Sequence, residues 1–259
     1  MTTICTYSLA HRMTAACLLI LLCLTTQARA GEPSEGYRYR QQTGDKIEYF
    51  DWMLERAENL LLTATSGTET FRTLMDSDLR THSWMFNNPA EHIAIEARRQ
   101  SDSITLTGLW NGQPLRKTLR IDAEPWYQAM SLSMRAVMNS TEESITFWTL
   151  RPDELKPLKL KAIKKGREVL NIDGRSIQAQ KIEIRLTGLG ALLGHSLYWL
   201  RPSDGLFLKY QGPIGLAGMA CTTITLDHAL LSSTDVPSTV LCNRLNSLHP
   251  SSDTAPKHP

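Results

Sequence analysis

Three dipeptides constrain this chain more than any other feature: Asn111-Gly112, Asp173-Gly174 and Asp204-Gly205. Each stands between runs in which apolar and polar residues alternate. A two-residue Asn-Gly or Asp-Gly turn joins such runs because both of its central positions take positive φ. Ile93, Ile95 and Ala97 alternate up to a turn at Ser101-Asp102-Ser103; Ile104, Leu106 and Trp110 carry the pattern on to Asn111, and Leu115, Leu119 and Ile121 return from it. Glu168–Ile172 and Ser176–Leu186 flank the second dipeptide, and Ser196–Leu200 and Leu206–Gln211 the third. With strands at Glu143–Leu150, Pro157–Ile163 and Met219–Asp227, the pattern predicts about ten strands. Hairpins between successive strands build an antiparallel sheet, not a parallel one with crossovers.

Two segments read as helical. Over 45–62, Asp45 stands as a cap with Glu48 three residues on, and Ile47, Phe50, Met53, Leu54, Ala57, Leu60 and Leu61 fall on one face. Over 125–139, Pro125 takes the first-turn position ahead of the stripe Trp126, Met130, Met134, Val137 and Met138. The expected architecture is therefore α+β: a curved, largely antiparallel sheet, a half-open barrel, packed on one or two helices. No internal repeat or linker divides the middle, so 31–231 is read as one β-rich domain.

The ends read differently. Arg12 precedes the apolar run Ala15–Leu24, and Ala28-Arg29-Ala30 follows with the small-x-small pattern of a leader cleaved after Ala30. The run is about half the length needed to span a bilayer, and no other stretch comes close, so the mature chain is expected to be exported without a transmembrane segment. Residues 232–259 are rich in Ser, Thr and Pro and read as a partly disordered tail. Cleavage changes the charge balance. The whole chain has 28 Lys+Arg and 26 Asp+Glu; Arg12 and Arg29 leave with the leader and no acid does, so 26 face 26. That balance gives no global reason to seek nucleic acid. Of five cysteines, Cys221 and Cys242 remain, an exported pair that reads as a disulfide worth roughly 3 kcal/mol on the loop-entropy argument. Two free thiols are the alternative.

The order of elements resembles an uncharacterised family of bacterial periplasmic proteins and, more distantly, the lipoprotein-carrier superfamily of the Gram-negative periplasm. The likeness lies in Glu168-Val169 with Asp173-Gly174, in Ile182-Glu183-Ile184-Arg185-Leu186, and in the run from Tyr198-Trp199 through Asp204-Gly205 to Tyr210. It implies a half-open barrel whose concave apolar face holds acyl chains, and it transfers no binding residue by motif.

Few residues carry chemistry. Gly194-His195-Ser196 opens like a nucleophile elbow, but Tyr198 stands where that turn needs glycine. The histidines show no metal-ligand spacing, and Asp76-Ser77-Asp78 lacks the oxygens and glycine of a calcium loop. No metal or cofactor is called for. Trp110, Trp126, Met130, Met134, Phe147, Trp199 and Phe207 are candidates to line an apolar pocket, or else they fill a core. In the basic run from Lys156 to Arg167, Lys159 and Lys161 alternate with Leu158 and Leu160 and are headgroup candidates, or lysines guarding an edge strand. Three functions follow in order: binding of an apolar ligand, a lipid or lipoprotein; a non-catalytic envelope assembly component with a protein partner; and a hydrolase.

Overall fold

The computed structural model describes residues 33–188, 194–213 and 221–230. The expected leader and tail, and Cys242, lie outside the described residues. The first eight strands are β1 (Pro33–Thr43), β2 (Lys46–Arg56), β3 (Leu60–Ser66), β4 (Glu69–Met75), β5 (Thr81–Asn88), β6 (Ile93–Gln100), β7 (Ser103–Trp110) and β8 (Gln113–Arg120). After α1 (Met130–Asn139) come β9 (Ser144–Arg151), β10 (Lys156–Ile172), β11 (Arg175–Leu186), β12 (His195–Leu200), β13 (Phe207–Pro213) and β14 (Cys221–Ala229). All fourteen belong to one sheet, antiparallel at every pairing, in the order β8-β7-β6-β5-β4-β3-β2-β1-β14-β13-β12-β11-β10-β9. Two meanders are thus zipped together through β1 and β14, where Tyr37 faces Ala229 and Thr43 faces Thr222.

The turns follow the sequence reading closely. Asn111 and Gly112 have φ of 50° and 75°, and Asp173 and Gly174 of 49° and 72°, the paired positive values of a two-residue hairpin turn. Asp204-Gly205 sits instead in a longer connection, where Gly205 N–H donates to the Arg201 carbonyl at 2.8 Å.

The helix expected over 45–62 is not formed. Gly44 and Asp45 are a hairpin turn between paired Thr43 and Lys46, and the segment runs on as β2 and β3. Phe50, Trp52 and Leu54 line the inner face at period two, while Ile47, Tyr49 and Met53 lie on the other. Apolar residues on both faces of a strand imitate a helical stripe, and the aromatic and β-branched content of this segment favours the extended form. Its acids find a strand's partners: Asp51 takes a two-oxygen bond from Arg38 directly across β1, at 2.6 and 2.9 Å. Residues 33–43, polar in sequence, are β1 itself.

The second helix is shorter than expected, beginning at Met130. Pro125–Gln128 is extended, and its backbone bonds are taken by strands: Trp148 N–H donates to the Pro125 carbonyl at 2.7 Å, Tyr127 N–H to the Trp148 carbonyl at 2.8 Å, and Thr81 N–H to the Trp126 carbonyl at 2.8 Å. This segment therefore occupies the free edge of β9 and ties it to the start of β5. Gln128 completes the tie through bonds to Trp126, Thr149 and both backbone groups of Leu150. β8 and β9 do not pair, so the sheet stays unclosed, and this linker bridges its β9 edge to β5.

One core lies between α1 and the concave face, with Trp52, Leu54, Met75, Leu132, Met134, Val137, Phe147, Ile182 and Leu200 all buried. A second, around Trp84, Phe86, Ile95, Leu106 and Trp126, fills the β5–β8 half. A third lies on the outer face. β10 and β11 are longer than their neighbours, and only Gln180–Arg185 of β11 pairs with β12. Beyond a bulge between Lys164 and Arg167 the distal arm of the hairpin leaves the sheet, and Ile172 and Ala179 pack on Trp199, Leu206 and Leu208.

Candidate functional site

The strand ends divide the concave face into a plugged end and an open one. At the plugged end α1 fills the space. Trp52 Nε1 donates to Ser131 Oγ at 3.1 Å, and Ser133 Oγ to the Leu79 carbonyl at 3.2 Å. Arg135, 8% exposed, donates from Nε to the Gly205 carbonyl at 2.9 Å and from Nη1 and Nη2 to the two Glu35 oxygens at 3.2 and 2.8 Å. Glu35 also receives Arg56 Nη2 at 2.5 Å. Burial pushes the Glu35 carboxyl up, but its bonds to Arg135 and Arg56 and their charge outweigh this and leave it below its ordinary value. No buried side-chain nitrogen or oxygen lacks a partner among the described residues.

At the other end α1 does not intrude, and the short 3-10 turn Pro89–Glu91 forms part of the rim. The turns joining β1 to β2, β3 to β4 and β5 to β6 surround a cavity of about 860 Å³. Phe50, Ala64, Phe71 and Ile224 supply apolar wall, and Ile47 and Tyr49 stand at the rim, 47% and 49% exposed. The wall is rigid because its rings are stacked: Phe50 on Tyr39 with centroids 5.2 Å apart, and Phe71 on Phe86 at 4.5 Å. The polar part is acidic. Glu48, Glu69 and Glu91 line it with Lys46, and buried Asn88 donates to Glu69 Oε1 at 3.2 Å. Burial, and then the charges of Glu91 and Glu48, raise the Glu69 carboxyl above its ordinary range. Such a site is built to hold an apolar group at its floor and to reject a second negative charge at its mouth.

The pocket candidates from sequence lie elsewhere. Met134 and Phe147 are closed into the core under α1, with Phe207 beside them and Met130 at the margin. Trp126 is fully buried in the second core, with Trp110 packed at its edge. Trp199 belongs to the outer-face cluster, so the seven are not brought together. Of the headgroup candidates, Lys159 is committed to Asp122 and lies 5.5 Å from the Trp148 ring centroid. The bond from Lys159, with that from Trp148 Nε1, holds the Asp122 carboxyl at about 2. Lys161 is exposed on the outer face opposite Arg185. Cys221 is exposed at the start of β14, and its suggested partner Cys242 falls outside the described residues.

The mouth was missed for a clear reason. Three of its four wall residues, Phe50, Ala64 and Phe71, sit in the segment read as a helix and in the strands just after it, and Ile224 comes from β14. Read as a strand, Ile47 and Tyr49 would have stood out as apolar residues on a solvent face. Hydrolytic chemistry gains nothing from the geometry. His195 and Ser196 are successive residues of a strand and point to opposite faces, and Ser196 Oγ shares a bond with Tyr210 Oη at 3.2 Å. No cluster of three or more potential metal ligands occurs among the described residues, and no helix among them is long and apolar enough to cross a membrane.

No protein-family model matches the chain, and no curated protein does. Among solved structures it is similar to a β-barrel-like protein of the domain of unknown function DUF1849 from Brucella abortus, with 8% identity over 78% of this chain and 99% of that one, at a TM-score of 0.53. Looser fits are the hypothetical lipoprotein YmcC from Escherichia coli (11% identity, 87% of this chain and 99% of that, TM-score 0.37) and a LolA-superfamily protein from Nitrosomonas europaea (11%, 82% and 91%, TM-score 0.27). The first of these belongs to a domain family of unknown function, in keeping with the uncharacterised family that the hairpin segments led us to expect, and what this chain shares with it is its fold.

Proposed function

We propose that this protein is an exported binding protein of the bacterial envelope that holds the apolar part of a lipid or lipoprotein in the open end of its half-barrel. The observation that carries this reading is the cavity of about 860 Å³ with its Phe50–Ala64–Phe71–Ile224 wall, at the end of the concave face that α1 does not fill. The leader-like residues 1–30 supply the export. The acidic rim narrows the ligand: a free fatty-acid carboxylate suits it poorly, whereas a chain with a neutral or amine-bearing head does not meet repulsion there. Burial of apolar surface supplies the affinity, and no covalent step is needed. An assembly component has less in its favour. The free edge of the sheet, β8, carries Pro114, Arg116, Lys117 and Arg120, residues that discourage strand addition.

The test uses mature protein and the neutral lipophilic fluorophore N-phenyl-1-naphthylamine. Phe71→Ser, at the margin of the second core, removes apolar wall and is expected to weaken binding about tenfold, the effect of losing roughly 1.4 kcal/mol of apolar contact. Ala64→Met, which fills the floor, should compete in the same way. Saturable binding that both variants weaken supports the reading. Absence of binding, or binding indifferent to both variants, overturns it.

A further inference from the structure

The strands β4 to β8 turn four arginines outward. Their inner residues, among them Phe71, Trp84, Phe86, Ile95, Leu106 and Leu119, belong to the second core, so the alternate positions lie on the outer face. One outer row crosses the sheet from Arg116 through Thr107, Glu96 and Met85 to Arg72, each directly opposite the next. Arg98 stands between Ser83 and Thr105 in the row beside it, and Arg120 opposite Ser103 in the row beyond. All four arginines are exposed.

Little on this face neutralises them. Glu96 is the one carboxylate on the outer side of these five strands, and Arg98 Nη2 takes it at 2.7 Å. The side chains of Arg72, Arg116 and Arg120 have no ion-pair or hydrogen-bond partner among the described residues. The cations of β10 and β11 are treated otherwise: Lys165 and Arg185 share Glu183, Lys181 faces Glu168 at 3.4 Å, and Lys159 holds Asp122. Basic residues on an edge strand guard it against pairing, which accounts for Arg116 and Arg120 on β8 but not for Arg98 and Arg72, on the interior strands β6 and β4. Apolar side chains stand among the arginines. Leu109, 44% exposed, lies between Ala94 and Pro114, and half-buried Leu74 faces Leu61.

We propose that this outer face docks on an anionic phospholipid bilayer, with Arg72, Arg98, Arg116 and Arg120 toward the headgroup phosphates and Leu109 at the acyl boundary. From Arg116 to Arg72 the row crosses four strand spacings, about 19 Å, and Arg116 and Arg120 lie about 13 Å apart along β8. Charges so dispersed do not converge on one small anion; they match a surface of headgroups. Each guanidinium offers parallel donors to two phosphate oxygens, and the exposed apolar side chains add burial that a soluble acidic polymer does not provide. The face lies on the other side of the sheet from the Phe50–Phe71 wall, so the inference does not rest on what the cavity holds.

Mature protein is sedimented with phosphatidylcholine vesicles made with and without phosphatidylglycerol. Binding is expected only with phosphatidylglycerol and should fall as salt rises, because screening shortens the reach of each charge. Arg72→Gln with Arg116→Gln, both exposed and outside every core, should weaken it about thirtyfold, the effect of two surface cations. Leu109→Ser, which changes no charge, should weaken it about threefold. Arg167→Gln with Arg175→Gln removes the same charge from the β10–β11 hairpin, off this face, and should leave binding near the wild-type value. That pattern establishes the bilayer face. No sedimentation with phosphatidylglycerol, an equal effect of the two arginine pairs, or indifference to Leu109→Ser overturns the proposal. The fluorophore assay reads the cavity separately, so either result can fail without the other.

Discussion

Replacing Arg135 by methionine tests whether α1 is held to the sheet by charge as well as by apolar packing. Methionine retains a stem against Trp52, whose ring centroid lies 5.9 Å from the guanidinium carbon, but gives up every polar contact. The Gly205 carbonyl then loses a 2.9 Å bond in a buried place, a cost of about 1–3 kcal/mol. Glu35 keeps Arg56, so its loss is smaller than the roughly 3–5 kcal/mol of a buried pair fully broken. Together these give about 3 kcal/mol, or a fall in Tm of roughly 6–12 °C for a domain of this size. Urea denaturation of the wild type, Arg135→Met, Glu35→Gln and the double variant completes a cycle, with an expected coupling of about 1 kcal/mol or more. Acid supplies an independent check. Because the Glu35 carboxyl is held below its ordinary value of 4.5, its contribution is complete above that value and disappears as the pH falls through the lowered one. The stability gap between wild type and Glu35→Gln must therefore close on acidification. A loss below about 1 kcal/mol in Arg135→Met, or coupling under about 0.5 kcal/mol, refutes the reasoning.

Two further substitutions probe the core and the sheet. Met134→Lys places an ammonium where the native side chain is fully buried, and should cost about 5 kcal/mol or more, enough to abolish the cooperative melt seen by circular dichroism; Met134→Ala should cost about 3 kcal/mol and keep it. A Met134→Lys protein that melts like the wild type would show the side chain turned outward. Gly108→Ala should be among the most damaging exposed changes in the sheet. Its φ is +132°, and a Cβ there would stand 2.1 Å from the Ala94 carbonyl oxygen, so β6 and β7 must part locally; faster amide exchange confined to those strands is the expected signature.

The hairpins were legible because a turn such as Asn111-Gly112 is local chemistry. Two positive φ values are needed, and two permissive residues stand in place. The segment from Lys46 to Leu62 was not legible, since its apolar positions satisfy a 3.6-residue and a two-residue period at once. Only the partners decide between them: β1 on one side, bonded through Arg38 and Asp51, and β3 on the other. Trp126 misled for a similar reason. It falls on the stripe of α1 in sequence, yet its backbone is claimed by Thr81 and Trp148, residues 45 positions before it and 22 after. The mouth inherited the first misreading. The basic alternation of β10 was visible, and the isolated Gly166 within it is the local mark of a bulge, but which lysines remain available was not, because that depends on Asp122 reaching Lys159 across 37 residues.

The pairing of β1 with β14 has a consequence for biogenesis. Tyr37 and Ala229 are sheet neighbours separated by nearly the whole described chain. A chain that emerges N-terminus first, as from a ribosome, presents β1 at once, but one edge of that strand stays open until β14 has also emerged. The β2–β8 meander can zip early by short-range contacts, whereas the seam that joins the halves must wait for the last strand. Through that interval β1 offers unpaired backbone to any passing strand, so the order of emergence makes this seam the step at which a folding helper or a stray neighbour would act.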